Sequence, residues 1–197
     1  MKRAFLLCVI MASCLSQGLY AQKLMGGGIK TNILSDAFLN PNIGIEIGLS
    51  PRWTLELDGQ LNLWSLSNNR RWKHWSVQPE VRYWLCDRFA GHFFGIHLHG
   101  GQYNVGGINV NADFLGTDYR KIKGSRYQGW FVGAGVAYGY SFILSRHWNL
   151  EPEIGFGYSY TVYDRFRCAG CGRKVETNVP HHYVGITKAA INLVYLF

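Results

Sequence analysis

The sequence predicts an all-β fold: an eight-stranded antiparallel transmembrane β-barrel preceded by a signal peptide. Three observations lead to this prediction: segments in which apolar and polar residues alternate, connections that are alternately short and long, and an aromatic residue at the C-terminus. The composition agrees, since 24 glycines and 15% aromatic residues among 197 favour strands and turns over long helices.

The N-terminus has the features of a secretory signal peptide. Lys2 and Arg3 provide the positive charge, residues 4–12 form a short apolar stretch, and residues 19–21 offer a cleavage site. A membrane-spanning helix needs about 18 apolar residues, more than any stretch of this chain provides. We therefore expect a signal peptide at residues 1–21 and an outer-membrane β-barrel at residues 22–197. A lipoprotein leader acylated at Cys14 is the alternative, although Met11 stands where such signals usually have Leu.

The strands follow from a period of two in the apolar pattern. Apolar residues occupy every odd position from 189 to 197, and an ending on a residue such as Phe197 is typical of bacterial outer-membrane barrels. Residues 53–64 alternate as well, with Leu55 and Leu57 on one face and Glu56 and Asp58 on the other. We predict strands at 29–34, 42–49, 53–64, 77–85, 92–103, 128–144, 148–162 and 183–197.

The connections between these strands alternate in length. Short turns at 50–52, 86–91 and 145–147 alternate with long loops at 65–76, 104–127 and 164–181, and only the first outward connection, 35–41, is short. Outer-membrane barrels have short periplasmic turns and long external loops. A soluble β-sandwich would instead have some strands apolar on both faces and a polar last strand.

Charge is concentrated in the predicted long loops. These loops hold eleven basic and four acidic residues, whereas the chain after residue 21 holds 18 basic and 12 acidic residues in all. Basic external loops face the phosphates of lipopolysaccharide, so we expect the outer membrane and lipopolysaccharide as partners. The chain has no nucleic-acid recognition motif, and we expect no nucleic-acid partner.

The polar faces of the strands are predicted to enter the lumen. An eight-stranded barrel is only wide enough for its own side chains, so ions there must pair with one another and block a pore. The predicted polar network of the lumen comprises Lys30, Glu46, Glu56, Asp58, Glu80, Arg82, His97, His99, Glu151, Glu153 and Lys188. His97 and His99 have the spacing of a metal-binding pair, but we expect them to hydrogen-bond within this network because the sequence fixes no third ligand.

Cys168 and Cys171 form the most specific local motif. We expect a disulfide between them, because an exported chain folds in an oxidising compartment. A zinc site formed by Cys168, Cys171, His181 and His182 is the alternative. If Cys168 and Cys171 form this disulfide, we expect no metal or other cofactor.

Small outer-membrane barrels also include enzymes that modify lipid A with a serine, a histidine and an acid. Ser159, His182 and Glu153 are groups of the required kind, but nothing in the sequence brings them together. We therefore expect no enzymatic activity, and a lipid A- or lipopolysaccharide-modifying enzyme is the alternative.

Several motifs carry a family resemblance. They include Lys-Thr-Asn-Ile-Leu at 30–34, Pro-Asn-Ile-Gly-Ile-Glu at 41–46, Trp-Lys-His-Trp at 72–75 and Gln-Pro-Glu-Val-Arg-Tyr-Trp at 78–84. With these motifs the chain resembles a Bacteroidetes outer-membrane β-barrel family of unknown function, a small OmpA/OmpX-like barrel. The resemblance implies fold and location rather than activity. It also implies a link with surface or fimbrial assembly, since family members lie near fimbrial or OmpA-like genes in some genomes.

Together these patterns predict a small outer-membrane protein with a plugged polar lumen and a structural or partner-binding role at the cell surface. The barrel-assembly machinery is the expected partner during insertion. A protein partner is expected at the external loops, at Trp72, Trp75 and their neighbouring arginines or at the Cys168 loop, because exposed aromatic and arginine side chains are typical of interfaces.

Overall fold

The computed structural model describes residues 26–66, 70–107, 113–114, 117–118, 125–167 and 172–197. The expected signal peptide and the expected Cys168–Cys171 disulfide lie outside these residues. Cys86 is disulfide-bonded, and the other four cysteines of the chain also lie outside the described residues.

The described residues form ten strands and one short helix. The strands are β1 (Gly27–Asn32), β2 (Asn42–Ser50), β3 (Trp53–Leu66), β4 (Arg70–Trp84), β5 (Gly91–Gly106), β6 (Asp113–Phe114), β7 (Thr117–Asp118), β8 (Arg126–Ile143), β9 (Trp148–Phe166) and β10 (Lys174–Leu196), and the helix is α1 (Ile33–Ala37). Within the described part of the chain, no helix has the length and apolar character needed to cross a membrane.

Eight of these strands form one antiparallel sheet that closes on itself. The order around the closed barrel is β1-β10-β9-β8-β5-β4-β3-β2, while β6 and β7 form a separate pair. The first and last strands close the ring, with Gly28 opposite Leu196 and Asn32 opposite Asn192. The prediction of an all-β fold with eight antiparallel strands is confirmed.

Two predicted loops proved to be largely strand. β4 begins at Arg70 and β10 at Lys174, so the hairpins continue through much of 65–76 and 164–181. Cross-strand hydrogen bonds hold these extensions without needing an apolar face, and the apolar alternation used for prediction therefore stops before the strands do. At the end of β9, Asp164 accepts hydrogen bonds from Lys174 Nζ (2.7 Å) and from Asn178 N (2.9 Å), and the Lys174 bond holds the pKa of Asp164 below its ordinary value.

The two ends of the ring differ. The short turns, the start of β1 and the end of β10 lie at one end, which we call the turn end, and the long hairpins reach towards the other, the loop end. Trp84, Phe89, Phe93, Val194 and Leu196 form an apolar cluster inside the turn end, each at most 2% exposed. Phe89 has a positive φ of 64°, and its carbonyl oxygen accepts hydrogen bonds from Ser141 Oγ (3.2 Å) and Asn149 Nδ2 (2.7 Å). The β4–β5 turn thus folds inward and closes this end.

The wall formed by β1 and β2 is lower than the rest. β1 pairs with β10 only as far as Asn32–Asn192, and β2 pairs with β3 only as far as Asn42–Gln60, although β3 and β10 both continue towards the loop end. The helix α1 and residues 38–41 connect β1 to β2. The carbonyl oxygen of Leu39 accepts hydrogen bonds from Asn62 Nδ2 (3.1 Å) and Trp64 Nε1 (2.9 Å). We call this section of the ring the low wall.

Glycines on the inner faces of β8 and β9 leave room for large side chains from other strands. A Cβ atom at Gly133 would lie 2.4 Å from His99 Nε2, and one at Gly135 would lie 2.6 Å from His97 Nε2. At Gly139 a Cβ atom would lie 2.3 Å from Phe93 Cζ and 2.9 Å from the Pro152 carbonyl oxygen. Glycine is therefore needed at these positions, because side chains from the neighbouring strand already fill the interior beside them.

We expect Gly139→Ala to lower the free energy of unfolding by about 1–3 kcal/mol, the usual result of overpacking a filled interior. Gly59→Ala is the matched control, since its Cβ would meet only the Ile43 carbonyl oxygen at 3.9 Å. Unfolding in guanidinium, followed by tryptophan fluorescence, measures both variants. Equal midpoints for the two would show that the interior has space for a methyl group beside Phe93.

Candidate functional site

The centre of the lumen is a network of buried ion pairs around Arg82. The guanidinium group of this β4 residue is fully buried. Its Nε lies 2.6 Å from Glu80 Oε1, its Nη1 lies 2.8 Å from Glu46 Oε2, and its Nη2 lies 2.6 Å from Glu153 Oε2. It also contacts Glu56 and Glu151. One side chain thus links carboxylates from β2, β3, β4 and β9.

Two lysines complete this core ion network. Lys30 Nζ, from β1, contacts Glu46 and lies 2.6 Å from Glu56 Oε2 and 3.2 Å from Glu151 Oε2. Lys188 Nζ, from β10, lies 2.9 Å from Glu56 Oε1, 3.0 Å from Glu80 Oε2 and 3.2 Å from Glu153 Oε1. It is also 3.5 Å from Asp58 Oδ2. Each of the six carboxylates therefore has a cationic partner, although carboxylates outnumber these cations.

The carboxylates of this network already have protein cations as ligands. Oxygen atoms of Glu56, Glu80 and Glu153 lie within 4.8 Å of one another, and this is the one group of His, Cys, Asp or Glu among the described residues whose spacing would suit a metal. Arg82 and Lys188 occupy the same oxygens. A metal ion would have to displace both cations, so the arrangement favours a structural role.

The two predicted lumen histidines lie beside the network, towards the loop end. His97 Nε2 hydrogen-bonds to Thr187 Oγ1 at 2.9 Å, and His97 Nδ1 lies 3.6 Å from Glu80 Oε2. His99 Nε2 hydrogen-bonds to Ser159 Oγ. The centres of the two imidazole rings are 5.7 Å apart. Within the described ranges, neither histidine belongs to a group of three possible metal ligands.

The side chains of His181 and His182 point to opposite faces of the sheet. They are neighbours in a regular stretch of β10, opposite Thr161 and Tyr160, so their side chains leave the sheet on opposite faces. His182 Nδ1 hydrogen-bonds to Tyr158 Oη on the outer face. A single zinc ion could not take both histidines without breaking the strand, and the cysteines of the proposed zinc set lie outside the described residues.

The groups considered for an enzyme lie apart. Ser159 points inward to His99, whereas His182 lies on the outer face against Tyr158. Glu153 is paired with Arg82 and Lys188. The structure therefore does not bring these three side chains together as a catalytic triad.

All eleven residues of the predicted lumen network lie inside the ring, and ten of them are buried, whereas Asp58 is partly exposed. The sequence pattern predicts neither the inward side chain of Thr187 nor the inward turn at Phe89. Alternation counted back from Phe197 places Thr187 outside, and the register shift between Ile186 and Lys188 brings its side chain inside to His97. No pattern in 86–90 indicates that Phe89 enters the lumen.

Two cavities adjoin the lumen. A polar cavity of about 90 Å³ lies inside the low wall, between β1, β2, β3, β4 and β10, and amide, hydroxyl and charged side chains line it. A larger recess of about 360 Å³ lies nearer the loop end, where Trp75, Tyr103, Trp130 and Tyr163 contribute to its lining. The polar cavity borders the core ion network, since Asp58 and Lys188 line it.

A closed eight-stranded antiparallel sheet around a charged core defines a class of protein rather than an activity. The chain belongs to the family described as "Protein of unknown function (DUF3575)", whose model matches residues 4–197. No protein of curated function and no solved structure matches the chain. The resemblance to a family of unknown function is confirmed at this level.

We expect Arg82→Met to lower the free energy of unfolding by at least about 3–5 kcal/mol, because it leaves several carboxylates buried without their main partner. Arg165→Met is the matched control, since Arg165 pairs with Glu176 at 3.4 Å with both side chains about one-third exposed. Removal of such an exposed pair costs less than about 1 kcal/mol. Guanidinium unfolding compares the two, and similar losses would contradict a structural role for the network.

Proposed function

We propose that this chain is an integral protein of the bacterial outer membrane, exported by its N-terminal signal peptide, with a filled lumen and a structural or partner-binding role at the cell surface. The observation that carries this proposal is the reversed distribution of polarity around the ring: ions lie inside and large apolar side chains lie outside. We propose no catalytic role.

The apolar side chains on the outside form a continuous row. The residues directly opposite one another on successive strands around the ring are Ile47, Leu55, Val81, Ile96, Val136 and Phe156, in that order. Their exposed fractions range from 37% for Leu55 to 68% for Ile96. Water-soluble proteins rarely expose so extended an apolar surface, and lipid tails are the solvent in which it is favourable.

Aromatic side chains flank this apolar belt on both sides. Trp53 packs on Tyr83 with ring centres 5.0 Å apart, and Trp148 packs on Tyr195 at 5.1 Å, both towards the turn end. Trp130 packs on Tyr160 at 5.9 Å towards the loop end. Amphipathic rings favour the two membrane interfaces, so these pairs support a membrane that spans the belt between them. The long, basic hairpins at the loop end support an outer surface on that side, where they would meet lipopolysaccharide.

The interior argues against a diffusion channel. The core ion network crosses the lumen and the apolar cluster around Phe89 closes the turn end. A role in transport through the ring would require both to move. A scaffold or a binding subunit would not require either of them to move. We therefore propose that the protein functions through its outer surface at the loop end.

The low wall offers a specific surface for a protein partner. Phe38 and Leu39 are 70% and 67% exposed, and Leu39 has a positive φ of 57°. The hydrogen bonds from Asn62 and Trp64 to the Leu39 carbonyl oxygen fix this tip. Trp72 and Trp75 lie on opposite faces of β4: Trp72 Nε1 donates to Asn40 Oδ1 beside the tip, and Trp75 Nε1 donates to Gln102 Oε1 on the outside. A partner at the rim would therefore meet the Phe38 tip together with Trp72.

We expect Ile96→Arg to prevent or slow folding into phospholipid vesicles, because an arginine in the middle of a lipid-facing belt costs about 2–4 kcal/mol. Leu144→Arg is the control: Leu144 is similarly exposed, at 58%, but lies at the β8–β9 turn. Folding is measured by the fraction of protein that migrates as a compact band in SDS before boiling.

Three outcomes decide the membrane proposal. A compact band for the wild type and Leu144→Arg, with loss of the band for Ile96→Arg, supports it. Equal folding of the two variants, or wild-type protein that stays in solution without vesicles or detergent, contradicts it.

We expect photoreactive benzoylphenylalanine in place of Phe38 to give a discrete protein adduct in living cells, because this tip is rigid, apolar and exposed. The same residue in place of Leu144, at the opposite end, is the control. Adducts are detected by the shift of the tagged chain on a denaturing gel. Absence of an adduct at position 38, or identical adducts at both positions, argues against a partner at this tip.

A further inference from the structure

The polar cavity inside the low wall has the composition of a binding site. Both sides of the low wall contribute to its lining. Asn32 and Asn192 lie where β1 pairs with β10, and Asn42 and Gln60 lie where β2 pairs with β3. Gln78 lies on the facing strand, β4. Every one of these side chains is an amide, which both donates and accepts hydrogen bonds.

Two of the amides are incompletely satisfied. Asn192 is 3% exposed, and neither its Nδ2 nor the buried Nε2 of Gln78 has a hydrogen-bond partner within the described part of the chain. A buried donor without a partner costs about 1–3 kcal/mol. A group that accepts hydrogen bonds in this cavity would remove that cost.

The charges around the cavity select the class of that group. Asp58 and Lys188 line the cavity, and behind them the core ion network contains six carboxylates against Lys30, Arg82 and Lys188. An anion would meet this excess of negative charge. A cation would face the two unpaired N–H donors. A neutral group that bears hydroxyls suits both conditions, because each hydroxyl accepts from an amide and donates to a carboxylate such as Asp58.

We propose that this cavity binds a neutral, hydroxyl-bearing group, such as a small polyol or the hydroxyl-bearing edge of a sugar unit, which enters from the loop end over the low wall. The volume of about 90 Å³ equals that of roughly three water molecules at liquid density, which is enough for a few carbon atoms and their hydroxyls. The apolar cluster at the turn end leaves the loop end as the route of access.

The same chemistry has two sources, a free sugar or polyol and the sugar head of a glycolipid. Free ligand would enter from solution at the loop end. A glycolipid would keep its acyl chains against the outer apolar belt and place its head over the low wall. This second source depends on the membrane location proposed above, whereas the first does not.

The test uses the full exported chain, folded in a zwitterionic detergent without sugar groups and labelled with nitrogen-15. Glycerol, glucose, sodium acetate and tetramethylammonium chloride are titrated separately while the side-chain amide signals of Asn192 and Gln78 are followed by NMR. We expect saturable shifts of both signals with glycerol or glucose, and no saturable shift with acetate or tetramethylammonium.

Variants test the residues. Asn192→Leu and Gln78→Met each remove one donor, and each is expected to weaken binding by roughly 3- to 10-fold, as the loss of one hydrogen bond does. They lie on different strands, so one remains informative if the other does not fold. Gln102→Met is the control, since Gln102 is outside this cavity and pairs with Trp75 on the outer face.

The outcomes separate the possibilities. Saturable binding of acetate or tetramethylammonium overturns the assignment to a neutral ligand. If none of the four compounds shifts the two amide signals, and these amides give cross-peaks to water, the cavity holds only water. That result overturns the proposal. Addition of vesicles containing a glucosyl diacylglycerol distinguishes the two sources, because competition with free glucose identifies a glycolipid head. The free-ligand titrations stay valid if the protein does not insert into membranes.

Discussion

The structure depends on one constraint: each charged side chain that enters a narrow closed ring must find a partner of opposite charge there. Arg82, Lys30 and Lys188 reach carboxylates on β2, β3, β4 and β9, so the ion pairs join strands that are far apart in the sequence. The ion pairs are also distributed unevenly around the ring. From Gly133 to Gly139, the inward positions of β8 hold only glycine and alanine, and this small inner face provides the volume that His97, His99 and Phe93 fill from the neighbouring strand.

This constraint explains why the outside of the ring is apolar. A closed antiparallel sheet has only two faces, and a side chain is assigned to one of them by its position in the alternation. Where ion pairs occupy the interior, the apolar residues that alternate with them along the same strands lie outside. The Ile47–Leu55–Val81 row and its continuation through Ile96 are therefore the necessary counterpart of the network around Arg82.

The sequence was sufficient for the strands and for the side chains of the lumen, because both depend on alternation. It was insufficient where alternation is interrupted. Counting back from Phe197 assigns Lys188 and Asn192 to the inside, as the structure does, but the same count would also place His182 inside. The register shift between Ile186 and Lys188 reverses the pattern, and His182 lies outside. The inward turn at Phe89, the length of the loop-end hairpins and the low wall depend on tertiary contacts that no local pattern records.

The Phe89 turn has a consequence for any molecule that occupies the interior. Because the apolar cluster blocks the turn end, the ligand proposed above would reach the described part of the lumen from the loop end. Arrival and departure of a ligand would then use the same path, and occupancy would depend on its concentration on that side alone. Such a geometry suits retention or sensing of the proposed ligand rather than its transport through the ring.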